Sequence, residues 1–148
     1  MPKPSDPEKR KFMFTDDIKF LQKAIVLHPN DNSLFLALKR SPNDFARPND
    51  WDLSGGNVLY GIKHDESLRN EIMEESGVEV DKLTPTQVIT NYDEKKKIYY
   101  IFIGFSCVAG TEEVTLSDEH VEYKWVTKKE FNKLAKAQYL KDLAEMVL

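Results

Sequence analysis

The sequence predicts a layered α/β domain, and three patterns carry that expectation. Residues 98–107 set Tyr100, Phe102 and Gly104 against Ile101, Ile103 and Phe105, so both faces of one strand are apolar, as in a strand covered from two sides. Helical spacing runs through Leu68 and Ile72, and again over 128–147 through Phe131, Leu134, Tyr139, Leu140, Leu143 and Val147. Two apolar runs, 23–27 and 33–38, flank Pro29-Asn30-Asp31-Asn32 and read as strands joined by a polar turn.

Taken in order, residues 1–17 are polar, charged and proline-bearing, which predicts a loose arm carrying Phe12 and Phe14 ahead of a single domain over 18–148. After the first two strands, residues 41–49 hold Pro42, Pro48 and two asparagines and predict a loop leading to Trp51. Trp51-Asp52-Leu53-Ser54-Gly55-Gly56 forms a glycine loop, a helix follows, Gly77 stops it, and Val78 and Val80 start an apolar strand. Residues 86–91 and 98–107 predict strands around the tip Lys95-Lys96-Lys97, whose lysines are either solvated or available to attract a polyphosphate. Residues 121–126 predict a further strand and 128–147 one helical run.

Composition narrows the function classes. A chain of 148 residues, 41% hydrophobic, is long enough for one domain with one core. Its net charge of -4 argues against a broad nucleic-acid surface, which depends on clustered Lys and Arg. No apolar run approaches the roughly 20 residues that span a bilayer, and no secretory signal is evident, so the expectation is a cytoplasmic protein with no membrane partner. Cys107 is alone, which excludes an intrachain disulfide, and its apolar neighbours predict a buried thiol.

The segment Asn70-Glu71-Ile72-Met73-Glu74-Glu75-Ser76-Gly77 carries the chemistry. At about 100° per residue, Glu71, Glu74 and Glu75 fall within an arc of roughly 100°, beside the stripe of Leu68 and Ile72. Like charges so spaced destabilise a helix by a few tenths of a kcal/mol each, roughly 0.2 to 0.5. A bound cation reverses that sign, and Mg2+ takes carboxylate and phosphate oxygens of the kind this face supplies. The plain alternative is a solvated acidic face.

This order of glycine loop, acidic helix and glycine stop resembles the Nudix hydrolase family, whose signature aligns without a gap from Gly56 through Glu71, Ile72, Glu74, Glu75, Gly77 and Val78. Two positions depart from it: Ile62 stands where the family has Glu, and Asn70 where it has Arg. Asn70 donates to a carboxylate more weakly than Arg, and His64, Asp65 or Glu66 are placed to cap the helix start. Leu38-Lys39-Arg40-Ser41 before the box and residues 117–126 after it look like flanking parts of the same fold. The resemblance covers the chain from about Ile18 onward and implies an α/β/α sandwich with a mixed sheet.

What it implies chemically is hydrolysis of a diphosphate linkage in a nucleoside triphosphate or nucleoside diphosphate derivative, with Mg2+ or Mn2+ as cofactor and a small-molecule partner. Glu71, Glu74 and Glu75 would bind the metal, joined by the backbone carbonyl of Gly56. Glu119 would serve as general base or fourth acid, with Glu122 second and also a candidate contact to substrate. Arg40 offers a bidentate fork to phosphate oxygens, Lys39 and Arg47 are further cations, and His120 reads as a structural or surface histidine. Phe45, Trp51, Tyr60 and Tyr99 are aromatic side chains available to stack on a base. Which base or sugar is bound, and the oligomeric state, are not written in these residues. A second reading is a nucleotide-binding or regulatory module that kept the metal face and lost turnover through Ile62 and Asn70.

Overall fold

The computed structural model describes residues 17–58 and 60–147. The elements run β1 (Asp17–His28), β2 (Asp31–Arg40), β3 (Trp51–Asp52), β4 (Ser54–Asn57), α1 (His64–Ser76), β5 (Val80–Asp93), β6 (Ile98–Ala109), β7 (His120–Val126), α2 (Lys128–Leu134) and α3 (Gln138–Ala144). All the strands join one mixed sheet in the order β3-β2-β1-β6-β5, with β4 also pairing to β1 and β7 to β2. β1 and β6 run parallel, and the other ladders are antiparallel.

Because side chains alternate along a strand, β1 and β2 send Ile25, Phe35 and Ala37 to one face and Ala24, Val26, Leu36 and Leu38 to the other. The first set packs with Phe131, Leu140 and Leu143 of α2 and α3, the second with Leu68 and Ile72 of α1 and Phe105 and Cys107 of β6. The predicted layering of helix, sheet and helix follows. Cys107 is the buried thiol expected, its pKa pushed up to about 12 by burial.

Three expectations need correction. Residues 128–147 are two helices, because Ala135 and Ala137 take extended backbone and divide the run. At about 100° per residue, Phe131 and Leu134 would fall on one side of a continuous helix and Leu140, Leu143 and Val147 on the opposite side. The break lets both sets reach the same core. The strand start expected at Val78 and Val80 and the strand expected over 86–91 are one strand, β5, which tolerates Pro85 because the ladder shifts register there. The N-cap of α1 is Lys63 with no side-chain cap, so Asp65 and Glu66 lie in the first turn, where the helix dipole favours an acid. Of the predicted arm, Asp17 opens β1, while residues 1–16, with Phe12 and Phe14, lie outside the described residues.

Candidate active site

β3 pairs with β2 and β4 with β1, so the chain crosses the sheet between Asp52 and Ser54 and brings the glycine loop against β1. Gly55 has φ +140°, and a Cβ there would stand 2.0 Å from the Gln22 carbonyl oxygen, so a side chain would push the strands apart. That close approach presents the Gly55 N–H and the Ser54 hydroxyl to α1, where both donate to Glu75 Oε1, at 2.9 and 3.1 Å. One turn earlier, Glu71 comes against Gly56, where a Cβ would lie 3.4 Å from Oε2. Gly77, left-handed at φ 68°, ends the helix by donating to the Met73 carbonyl.

Glu119 and His120 reach the same place from the start of β7. Ligand atoms of Glu75, Glu119 and His120 all lie within 4.8 Å of one another. On the ladder with β2, Glu122 faces Lys39 and His120 faces Arg40, with a register shift between them. The extra residue on β7 is Val121; it turns His120 inward and leaves Glu122 exposed. Glu122, expected as a base or substrate contact, therefore stands outside the cleft. Glu74 is exposed and does not line it either, though its charge is felt at Glu71.

The acids are crowded. Burial raises the Glu71 carboxyl, with help from the charges of Glu74 and Glu119 and against the pull of Lys23. Burial pushes Glu75 up to about 7 despite Lys23 and the bonds from Gly55 and Ser54. His120 is pushed down to about 4, chiefly by burial. Its Nε2 lies 3.9 Å from Glu75 Oε2, beyond hydrogen-bond reach, and its Nδ1 is buried without a partner. Carboxylates whose negative charge the protein leaves largely unbalanced, beside the Gly56 backbone, fit a divalent cation that takes oxygen ligands.

Beside the acids lies a basic cluster. Asp52, fully buried, accepts at Oδ2 from Lys23 Nζ at 3.1 Å, Arg40 Nη1 at 2.7 Å and Arg47 Nη2 at 2.8 Å, while Oδ1 accepts from the Leu53 N–H at 2.8 Å. The second arm of Arg40 binds Asp44 at 2.6 Å. Burial alone would raise Asp52, yet the charges of Lys23 and Arg47 and the bond from Arg40 hold it well below the usual carboxylate range. Three cations thus share two carboxylates, and positive charge is left over. Arg40 Nε and Arg47 Nη1 are buried without partners.

Both groups line a cleft of about 930 Å³, which also meets Lys96 of the lysine tip and the aromatic side chains of Tyr100, Phe102 and Tyr139. Tyr139 stacks on Phe102 at 4.0 Å and 18°, and Tyr100 continues the stack at 5.8 Å. None of the aromatics expected to stack on a base lines this cleft: Phe45 and Tyr60 are exposed, Trp51 is buried, and Tyr99 takes the opposite strand face from Tyr100. Sequence reasoning missed Lys23, Asp52 and Tyr139 as site residues. The available signal was a lone lysine inside the apolar run of β1.

The family model described as NUDIX domain matches residues 21–146. A nucleoside triphosphatase NudI from Salmonella arizonae is 36% identical over 110 residues, which cover 68% of this chain and 78% of that protein. The protein of the same name from Salmonella newport is 35% identical over 109 residues, covering 68% and 77%. Among solved structures, the MutT protein from Methanosarcina mazei Go1 matches with a TM-score of 0.71 at 26% identity, over 90% of this chain and 94% of that one. The E. coli dihydroneopterin triphosphate pyrophosphohydrolase shares the fold, with a TM-score of 0.71 at 16% identity over 88% and 96% of the two chains.

Proposed function

Because the chain belongs to the Nudix family through residues 21–146, we propose that it hydrolyses a diphosphate linkage in a nucleoside triphosphate or nucleoside diphosphate derivative, dependent on Mg2+ or Mn2+. The observation that carries this reading is that one cleft is lined both by the acids Glu71, Glu75 and Glu119 and by the cations Lys23, Arg40 and Arg47. A polyphosphate needs both poles. The names of the Salmonella relatives, nucleoside triphosphatases, agree with it.

A cation held by Glu75, Glu119 and the Gly56 carbonyl, with the charge of Glu74 at the rim, would offset phosphate charge and lower the pKa of a water. The rest falls to the chain. Arg40 and Arg47 line the cleft and bring positive charge to phosphate oxygens, and their ties to Asp52 fix them in place beforehand. Glu71 lines the cleft with a carboxyl raised by burial, which suits it to take the proton from the attacking water. Phe102 and Tyr139 give a flat wall for a nucleobase.

Ile62 and Asn70, the departures from the family signature, are both exposed and neither lines the cleft, which favours an enzyme over a binding module. The test is phosphate release through a coupled phosphatase, with Mg2+ or Mn2+, over nucleoside triphosphates, oxidised nucleotides, ADP-ribose, dinucleoside polyphosphates and sugar nucleotides. Turnover on one class, abolished in Glu75→Gln, is the expected result. Silence over the whole panel would overturn the proposal.

A further inference from the structure

We infer that His120 is a nitrogen donor to the cation of this cleft, so that the centre built from Glu75, Glu119 and His120 prefers a first-row transition ion such as Mn2+, Co2+ or Zn2+ over Mg2+. The inference rests on reading the cleft as a metal site and adds the identity of the donor set.

Two independent observations support it. The first is proximity: the carboxylates of Glu75 and Glu119 and a ring nitrogen of His120 lie within 4.8 Å of one another, a spacing that one ion can bridge. The second is the condition of the imidazole. Its side chain is only 2% exposed, Nδ1 has no hydrogen-bond partner among the described residues, and Nε2 lies 3.9 Å from Glu75 Oε2. Buried polar side chains are nearly always hydrogen-bonded, so a buried imidazole whose Nδ1 is unsatisfied and which stands beside two carboxylates has the stance of a ligand.

The backbone is arranged for this. Without the extra residue Val121, regular alternation would put His120 on the face of Glu122 and Val126; the bulge sends it to the other face, beside Arg40, as bulges near functional sites commonly re-aim a side chain. Chemistry then sets the preference. Mg2+ demands hard oxygen ligands in octahedral geometry, whereas an imidazole beside carboxylates suits the later divalent ions.

Electron spin-echo spectroscopy of Mn2+ added to the metal-stripped, full-length chain reads the donor set directly. Modulation from a bound imidazole nitrogen is expected, changed by [15N]histidine labelling and absent in His120→Gln. In parallel titrations, His120→Gln should weaken Mn2+ and Co2+ binding by about tenfold or more, while Mg2+ binding changes less than about twofold. Should that variant fail to fold, the labelled chain carrying His28→Gln and His64→Gln decides, because His120 is then its one histidine. Mn2+ bound with no nitrogen modulation would overturn the inference and leave the metal reading standing; no Mn2+ binding at all would overturn both.

Discussion

Replacing Asp52 by Asn removes the single charge on which three cations converge while leaving the shape of the side chain nearly unchanged. Oδ2 accepts from Lys23, Arg40 and Arg47 within 3.1 Å, and both Asp52 and Lys23 are almost wholly buried. Removing one partner of a buried ion pair costs about 3 to 5 kcal/mol, because the other charge stays buried without compensation. Asn keeps one carbonyl acceptor, and Arg40 keeps Asp44. The loss should therefore sit near the lower end, about 3 kcal/mol, equivalent to a fall of roughly 10 °C in Tm for a chain of this size. Urea unfolding at pH 7 should show a lower midpoint at an unchanged slope. Acid adds a second reading. Asp52 is depressed in the folded state, so its contribution is full above its ordinary value of 3.8 and fades as pH falls through the folded value. Wild type should lose that part of its stability in strong acid, and the variant should not. Adding Lys23→Met to Asp52→Asn should cost less than the sum of the two single changes. A loss under about 1 kcal/mol at pH 7, with additive effects in the double variant, would refute the view that Asp52 organises the basic pole.

Gly55→Ala should destabilise by about 2 kcal/mol or more in the same urea assay, since the new Cβ meets the Gln22 carbonyl at 2.0 Å in a backbone conformation that L residues avoid. In metal-free protein, Glu75, raised to about 7, contributes stability that is full below 4.5 and lost as pH rises toward 7, while His120, lowered to about 4, contributes stability present above 6.5 and lost as pH falls toward 4. Thermal melts in EDTA should accordingly show Glu75→Gln more stable than wild type at pH 8, with the acid-side decline of His120 kept. Stabilisation by Mn2+ should grow between pH 6 and pH 8, because the ion displaces the proton that Glu75 holds below about 7. Tyr139→Ala should raise KM by about tenfold with kcat little changed, if the stack on Phe102 extends to a nucleobase.

Much of this molecule is legible in its sequence where period and punctuation agree. The turn at Pro29 and Asn30, the apolar faces of β6 and the glycine stop at Gly77 each follow from local chemistry, and the structure has them in place. Glu71 and Glu75 were legible because four residues on a helix is one turn. What the sequence conceals is set by long-range pairing. Lys23 and Asp52 meet only because β3 and β4 change partners between β2 and β1. His120 and Glu122 share a face by simple alternation, and one bulged residue separates them. The division of 128–147 comes from the core, since Ala135, Lys136 and Ala137 hold no glycine or proline to mark it. The choice of Tyr100 over Tyr99 depends on which strand face meets the cleft.

Phosphorus NMR of one sample holding the protein, Mn2+ or Mg2+ and a nucleoside triphosphate, followed in time, tests the central claim most directly. The account predicts that the diphosphate resonances decay as monoester or pyrophosphate signals grow, and that Glu75→Gln or EDTA stops the conversion. A nucleotide that binds with the metal yet keeps its resonances unchanged would contradict it and leave a binding module in the place of an enzyme.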